Sequence, residues 1–489
     1  MARFLALDQG SSSSRAAVFD TDGQHTPVIQ KPLPVHFPKP GWVEHDPADL
    51  WTTQFEAARD ALLAAGVGAL ELSGIAITNQ RETTLVWSRR SGAPIGPAIS
   101  WQDRRTAGWC QDRIEEGLAP LVRSRTGLVI DPYFAAGKIA WLLDHLPGAR
   151  QLAEAGELAF GTVDSWLIWK LTGGAVHATD VTNASRTLLF DIRRGVWDEE
   201  LCTAFNIPRA LLPTVKPSAS YFGDCAAFGA PVSIMGVAGD QQAALFGHGC
   251  MAPGQAKNTY GTGCFALLHT GDEAVVSSHG LLTTRAAQIS RLKEFALEGA
   301  VFDAGSVVQW LRDEVRLFTR TADIEPLAAS VPDSGGVVLV PAFNGLGSPV
   351  WDPTARAGIL GITRGTSRAH IARAALESIA LQSAEVLLAM QADSGMKLTE
   401  LSVDGGGSAN DLLMQMQADL LGVPVRRPAN IEATAFGAAA IAAHTTGTYQ
   451  HAEDRDLDST LFEPTIGRDE AAERLAHWRK AVGRVCDWA

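Results

Sequence analysis

The 489-residue chain has no apolar run approaching the roughly 20 residues that cross a bilayer, which excludes a helical membrane protein. Its opening, MARFLALDQG, turns polar after seven residues, so no secretory leader is expected. Basic clusters are missing as well. Lys and Arg number 41 against 54 Asp and Glu, a formal charge of −13, and no basic tract interrupts it. Nucleic acid and anionic membrane surfaces are therefore not expected partners. Six cysteines (Cys110, Cys202, Cys225, Cys250, Cys264 and Cys486) are scattered with no C-x-x-C spacing. Zinc and iron–sulfur sites are disfavoured, and free thiols in a reducing cytoplasm are expected. No GxxxxGK[ST] loop occurs, so a nucleotide must be held by some other device.

What is present is a globular composition, 46% apolar with 47 glycines, on a chain long enough for about two to four domains. Two apolar, strand-like runs end on an aspartate and a tight polar turn: FLALDQGSSSSRAAVFD near the start and VSIMGVAGDQQAALFGHG near residue 240. A third segment, KNTYGTGCFALLHT at 257–270, repeats the turn chemistry. Small residues let backbone N–H groups surround an anion, and aspartates can hold the cation that accompanies a phosphate. Phosphoryl transfer is the function this points to.

Strands are expected at 3–8 and 15–20, a helix at 50–66, strand–loop–strand at 71–88, and a helix over 160–174 capped by Thr162 or Asp164. Residues 201–222 read as a surface connection, followed by a strand at 232–238 and a helix at 241–248. The second half repeats the opening: strands at 256–269 and 280–285, helices at 299–318 and 368–392, strand, glycine turn and helix over 398–422, and an alanine-rich helix at 433–447. Both halves begin with a strand–turn–strand unit and continue as mixed α/β, an internal duplication with its boundary near 245–255. Two such lobes would face each other across a cleft.

The turn from Asp8 to Arg15 offers a cation ligand, hydroxyls and a guanidinium around a transferring phosphoryl, or is simply a polar hairpin turn. Asp240 ends a strand, where it can be a helix cap or the acceptor of a hydroxyl proton, with Gln241 beside it. An ordinary carboxylate is a weak base for an alcohol, but in a loose transition state the proton leaves late and orientation dominates. Arg81 and Glu82 form an adjacent donor and acceptor able to grip two hydroxyls of a polyol, or a surface ion pair. Trp101 and Phe265 can flank a small carbon skeleton. Tyr133 is either a core ring or a hydroxyl donor. Gly405, Gly406 and Gly407 with Asn410 make a strand-to-helix turn that can sit against a flat ring, or merely precede a buried helix. Gln309 is equally an ordinary solvated residue.

Taken together, GWVEHDP, ITNQRETT, SRTGLVIDPYF, GTVDSWLIWKLTGG, TNASRT, AGDQQAALFG, KNTYGTGCF, LEGAVF, QWLRDE and VDGGGSANDLLMQ resemble the FGGY carbohydrate kinases nearly end to end, specifically the members that phosphorylate glycerol. The resemblance implies an α/β fold of two actin-like (ribonuclease H-like) ATPase lobes facing a central cleft. It divides the chain into an N-terminal lobe, 1–248, binding glycerol and phosphate, and a C-terminal lobe, 249–489, binding nucleotide. It implies ATP-dependent phosphorylation of glycerol to sn-glycerol 3-phosphate with ATP/ADP and Mg²⁺, in a cytoplasmic homodimer or homotetramer. Carried over from the family, the glycerol contacts fall on Arg81, Glu82, Tyr133, Asp240 and Gln241, with Trp101 and Phe265 around the carbons and Asp240 as the base. Nucleotide and phosphate contacts fall on Ser11, Ser12, Ser13, Arg15, Thr262, Gly305, Gln309, Gly406 and Asn410, and Mg²⁺ is approached by Asp8 and Asp240.

Two departures stand out. Ser11 and Ser12 occupy positions where many relatives have threonine, which keeps the hydroxyls and loses two methyl groups. The connection GDCAAFGAPVSI at 223–234 replaces a longer glycine-rich loop whose lysine and arginine help bind an inhibitory sugar bisphosphate in well-known bacterial members. No Lys or Arg lies between Lys216 and Lys257 here. The alternatives kept beside this reading are a kinase for another polyol or ketose, and a chaperone-like ATPase acting on a protein partner.

Overall fold

The computed structural model describes residues 2–21, 23–429, 432–449 and 459–488. The first half is organised on β1 (Arg3–Gln9), β2 (Ser13–Asp20), β3 (Ile29–Pro32), β4 (Gly74–Asn79), β5 (Asp224–Cys225) and β6 (Val232–Gly239), paired in the order β5-β6-β4-β1-β2-β3. The second half is organised on β7 (Ala256–Tyr260), β8 (Cys264–Gly271), β9 (Leu282–Arg285), β10 (Phe295–Val301), β11 (Leu401–Asp404), β12 (Val425–Pro428) and β13 (Ser459–Phe462), in the order β9-β10-β8-β7-β11-β12-β13.

The duplication expected from the sequence is a topological one. In the first sheet β1 pairs antiparallel with β2, β2 antiparallel with β3, and β1, β4 and β6 run parallel. In the second, β7 pairs antiparallel with β8, β8 antiparallel with β10, and β7, β11 and β12 run parallel. Parallel strands carry their loops to a shared end, which is where open α/β sheets bind ligands.

Strand alternation divides the core of the first lobe. Leu5 and Leu7 face one side with Ile75 and Ile77, against the apolar stripe Leu50, Ala57, Ala58 and Ala61 of α1 (Pro47–Ala65). Asp46 caps that helix by accepting from Ala48 N at 2.8 Å, Pro47 opens it, and Gly66 closes it at φ 63°. Phe4, Ala6 and Ala76 face the other side, against α2 (Asp240–Gly247) and α6 (Ala433–Thr445), the latter reached from the far end of the sequence. A Cβ on Gly437 would strike the backbone of Ala243, so glycine and alanine are what let α2 and α6 meet. Each sheet lies wholly on one side of a cut after His248, while α6 packs on the first sheet. In the second lobe, the 27-residue α4 (Arg368–Ser394) covers Leu268, Leu297 and Val301 with Ala375, Leu376 and Ile379.

Three sequence expectations fail locally. LEGAVF at 297–302 belongs mostly to β10 rather than to a helix, and α3 (Gly305–Asp313) starts later and stops earlier than the expected 299–318. A short run with one buried charge does not distinguish strand from helix by period. The expected helix at 160–174 is a strand at Leu158–Gly161 and a helix at Val163–Leu171, and the Thr162 hydroxyl donates to Asp164 at 2.5 Å instead of capping. Residues 201–222 are not a surface connection. Leu201, Phe205, Leu211 and Phe222 are buried, and a strand at Thr214–Lys216 pairs with Ala178–Asp180.

Candidate active site

The carboxyl ends of the parallel strands of both sheets converge. β1 delivers Asp8, β4 leads into Arg81 and Glu82, β6 ends at Gly239 before Asp240, and β11 ends at Asp404. Glu82 sits at φ 62°, the centre of a three-residue turn in which Thr83 N donates to Arg81 O at 2.7 Å. Left-handed backbone at a non-glycine residue costs about 1–3 kcal/mol and persists only where its surroundings enforce it. Here the Glu82 carbonyl accepts from the Thr84 hydroxyl at 3.0 Å and from Lys138 Nζ at 3.4 Å. The turn aims consecutive side chains into one site.

Arg81 is buried and lies between the lobes. Its guanidinium bonds Glu298 Oε2 at 2.6 Å and Oε1 at 2.9 Å, while Nε stands 3.3 Å from Asp240 Oδ1. A Cβ on Gly239 would lie 2.6 Å from Arg81 Cδ, so glycine there leaves room for the arginine stem. Glu82 accepts from Arg186 Nε at 2.6 Å. The reading of Arg81–Glu82 as a surface pair is thus excluded: both are fully buried.

Asp240 begins α2 and its carboxylate accepts from Gln241 N at 2.7 Å. Burial pushes its pKa above the ordinary carboxylate value, against the attraction of Arg81 and Lys257. That shift makes it a better proton acceptor than a free aspartate. Gln241 Oε1 accepts from Lys257 Nζ, which also donates to Thr259 Oγ1 at 2.8 Å and Phe265 O at 3.2 Å. Burial draws the Lys257 ammonium down to about 8, against Asp404 and Asp240.

The aromatic residues assemble as a wall. Trp101 meets Tyr133 and Phe265 edge to face with centroids 5.7 and 5.8 Å apart, and Trp101 Nε1 donates to Ser11 Oγ at 2.8 Å. The buried Tyr133 hydroxyl accepts from Arg81 Nη2 at 3.3 Å, so the residue is both a core ring and a polar contact.

Of the remaining positions, Ser12 is exposed, Ser13 begins β2, and Gly10 N donates to Ser13 O at 2.9 Å. Arg15, opposite Asp8 in the hairpin, pairs with Glu432 at 3.5 Å. Around the matching turn of the second lobe, Thr262 O accepts from Ala304 N at 2.9 Å and Ser306 N at 3.2 Å, and Gly305 N donates to Gly261 O at 3.0 Å. Gln309 is exposed on the next turn of α3. A Cβ on Gly405 or Gly407 would meet Tyr260 within 2.6 or 2.9 Å, whereas Gly406 faces open space. Asn410 caps α5 (Asp411–Leu421), its side-chain oxygen accepting from Leu413 N at 2.8 Å, which leaves the amide NH₂ for another partner. A cavity of about 770 Å³ lined by His36, Trp51, Trp166 and Lys170 shares no residue with this set.

A divalent cation fits the donor set. Burial, opposed by Arg15 and aided by Glu432, Asp240 and Asp404, pushes the Asp8 carboxyl up to about 7. Asp404 Oδ1 is buried without a hydrogen-bond partner. Among the described residues no group of three or more His, Cys, Asp or Glu side chains could hold a metal by itself. Mg²⁺ is commonly bound through one or two carboxylates, with water and phosphate oxygens completing its shell.

Sequence reasoning gave no role to Arg186, Gln242, Lys257, Glu298 or Asp404. The signal for Glu298 was a charge inside the apolar run FALEGAV, since a buried carboxylate requires a partner.

Two lobes of one topology, converging on aspartates and glycine turns, define an α/β kinase of two actin-like lobes. The chain belongs to the FGGY family of carbohydrate kinases, whose N-terminal domain matches residues 3–247 and whose C-terminal domain matches residues 256–446. It is 57% identical over 490 residues to a glycerol kinase of Ralstonia nicotianae, covering 99% of this chain and 98% of that one. It is also 57% identical over 493 residues to a glycerol kinase of Methylibium petroleiphilum, covering 99% of each. Among solved structures, a Plasmodium falciparum glycerol kinase with ADP matches at TM-score 0.90 and 33% identity, over 99% of this chain and 98% of that one.

Proposed function

We propose that the protein transfers the γ-phosphoryl group of ATP to glycerol, giving sn-glycerol 3-phosphate and ADP. The observation that carries this reading is the juxtaposition of Arg81, Glu82 and Asp240 under the Trp101–Tyr133–Phe265 wall, in a chain so similar to glycerol kinases over its whole length.

In this mechanism Arg81 donates to one glycerol hydroxyl and Glu82 accepts from another, while the aromatic edges cover the C–H groups. Gln241 holds a hydroxyl beside the reacting one. The attacking oxygen forms its bond to the γ-phosphorus as the bond to the β–γ bridging oxygen breaks, and its proton passes to Asp240. Backbone and hydroxyl donors of Ser11, Ser12 and Ser13, with Arg15, face the phosphates. Thr262, Gly305 and Gln309 line the nucleotide on one side, Gly406 and Asn410 on the other. Asp8 and Asp240 would hold Mg²⁺, which supplies charge neutralisation on the phosphates when bound.

The division of labour follows the two halves, with acceptor and phosphate groups within 1–248 and nucleotide contacts within 249–489. We assign the protein to the cytoplasm as a homodimer or homotetramer. All six cysteines are free, in keeping with a reducing compartment, and no helix among the described residues is long and apolar enough to cross a membrane. Initial rates of ADP formation with glycerol, dihydroxyacetone, erythritol, ribulose and xylulose test the assignment. Glycerol should have the highest kcat/KM, and a preference for a five-carbon ketose would overturn it.

A further inference from the structure

Arginine carries five N–H donors, and in Arg81 four are already committed to protein groups. Nη1 donates to Glu298 Oε2 at 2.6 Å and to Gln242 Oε1 at 3.2 Å. Nη2 donates to Glu298 Oε1 at 2.9 Å and to the Tyr133 hydroxyl at 3.3 Å. The donor left over is Nε, on the side of Asp240. Glu82 is restricted in the same way. Its Oε1 accepts from Arg186 Nε at 2.6 Å, which leaves Oε2 as its open acceptor. Arg186 Nη2 in turn donates to Glu298 Oε1 at 2.8 Å.

Glu298 is therefore the hub: it receives three charge-assisted hydrogen bonds from two guanidiniums, and all four charged residues are at most 2% exposed. Although burial pushes its carboxyl up, Arg186 and Arg81 outweigh that and hold it below the ordinary value. Arg81, Glu82 and Arg186 come from the first half of the chain, whereas Glu298 comes from β10 in the second sheet.

We propose that Glu298 and Arg186 are positioning residues for the acceptor. The carboxylate of the second lobe leaves one N–H of Arg81 and one oxygen of Glu82 available, and so sets the affinity of an acceptor it does not touch. This rests on the reading of Arg81 and Glu82 as glycerol contacts. Without the Glu298 charge, the carboxylates that remain beside the two guanidiniums are Glu82 and Asp240. Each guanidinium then competes for an oxygen that the acceptor or its proton needs.

The test is steady-state kinetics of the full-length Glu298→Gln enzyme, varying glycerol and Mg·ATP separately. Expected are a glycerol KM raised by about ten-fold or more and an ATP KM within about two-fold. Glu298→Asp, which keeps the charge, should recover part of the glycerol affinity. In the Arg81→Lys background, Glu298→Gln should raise the glycerol KM less than it does alone, because part of its effect passes through Arg81. If Glu298→Gln does not fold, Arg186→Lys takes the same measurements with the same expectations. A folded variant with unchanged glycerol KM, equal rises in both KM values, or effects that multiply with Arg81→Lys would overturn the proposal. Wild-type activity separates the two ideas. Without glycerol-dependent ADP formation both fall, whereas such activity with an unmoved KM in the variant removes only this one.

Discussion

Arg81 Nε stands 3.3 Å from Asp240 Oδ1, so the donor left open for the acceptor and the candidate base share one edge of the site. On the proposed reading, a hydroxyl that reaches Nε is within range of the carboxylate, so the contact that would orient the acceptor would also select which proton leaves. The cation also keeps Asp240 ionised more readily than burial alone would allow.

Glu82 should define acceptor affinity. Glu82→Gln keeps shape but replaces an open carboxylate oxygen with an amide, weakening a buried hydrogen bond to a hydroxyl by about 1–3 kcal/mol. The expected outcome is a glycerol KM raised several-fold to about a hundred-fold with the ATP KM little changed. Titrating the two substrates separately checks it, and an effect confined to ATP would refute the role. Glu82→Gln is a milder probe than Arg81→Ala, which removes two of the three charge-assisted hydrogen bonds that Glu298 accepts. Breaking a buried pair in that way costs about 3–5 kcal/mol of stability.

Asp164 should impose a pH dependence on stability that has nothing to do with catalysis. Its carboxyl is fully buried and is raised from 3.8 to about 7, first by burial and then by Asp180, against hydrogen bonds from Thr162 and Thr179. The folded state thus holds a proton that the unfolded state releases. The stabilisation is complete below the unfolded value, near 4, and is lost as pH rises through about 7, with a ceiling on the order of 4 kcal/mol. Thermal or urea melts of the wild type between pH 5 and 8, compared with Asp164→Asn, should show a shallower loss in the variant. Parallel slopes would contradict the assignment.

The regions legible in sequence are those where chemistry and periodicity agree. Asp8 and Asp240 could be read at strand ends because each apolar run stops abruptly at a small, polar turn. The Gly405–Gly407 turn was equally plain, although only the packing on Tyr260 separates the two glycines that fit a crowded backbone from Gly406, which faces open space. The ion-pair hub was not legible. Arg81 and Glu298 are 217 positions apart, and neither run around them hints at the other. Residues 201–222 misled because short elements buried by contacts with distant segments show no period of their own. The return of α6 to the first sheet is likewise a long-range packing event, signalled only by an alanine content suited to close approach.

Fructose 1,6-bisphosphate should inhibit weakly or not at all. The tip of the connection between β5 and β6, residues 226–231, is largely exposed and holds no cation, and none lies from 217 to 256. Capture of a bisphosphate normally needs fixed arginine or lysine donors, and a net charge of −13 adds no long-range attraction. Rates at saturating ATP and glycerol, with fixed free Mg²⁺ and ionic strength, check this. Half-inhibition below about 1 mM would place an anion site elsewhere on the surface.

Acceptor-dependent turnover through Asp240 is the centre of the account, and ADP formation by wild type and Asp240→Asn, with and without glycerol at saturating Mg·ATP, tests it most directly. Wild-type turnover should depend on glycerol. In the folded variant kcat should fall at least about 10²-fold, with the KM values changed far less, because the proton acceptor and a charge near Mg²⁺ are both removed. ATP hydrolysis indifferent to glycerol, or an Asp240→Asn enzyme keeping about a tenth of the wild-type kcat, would contradict it.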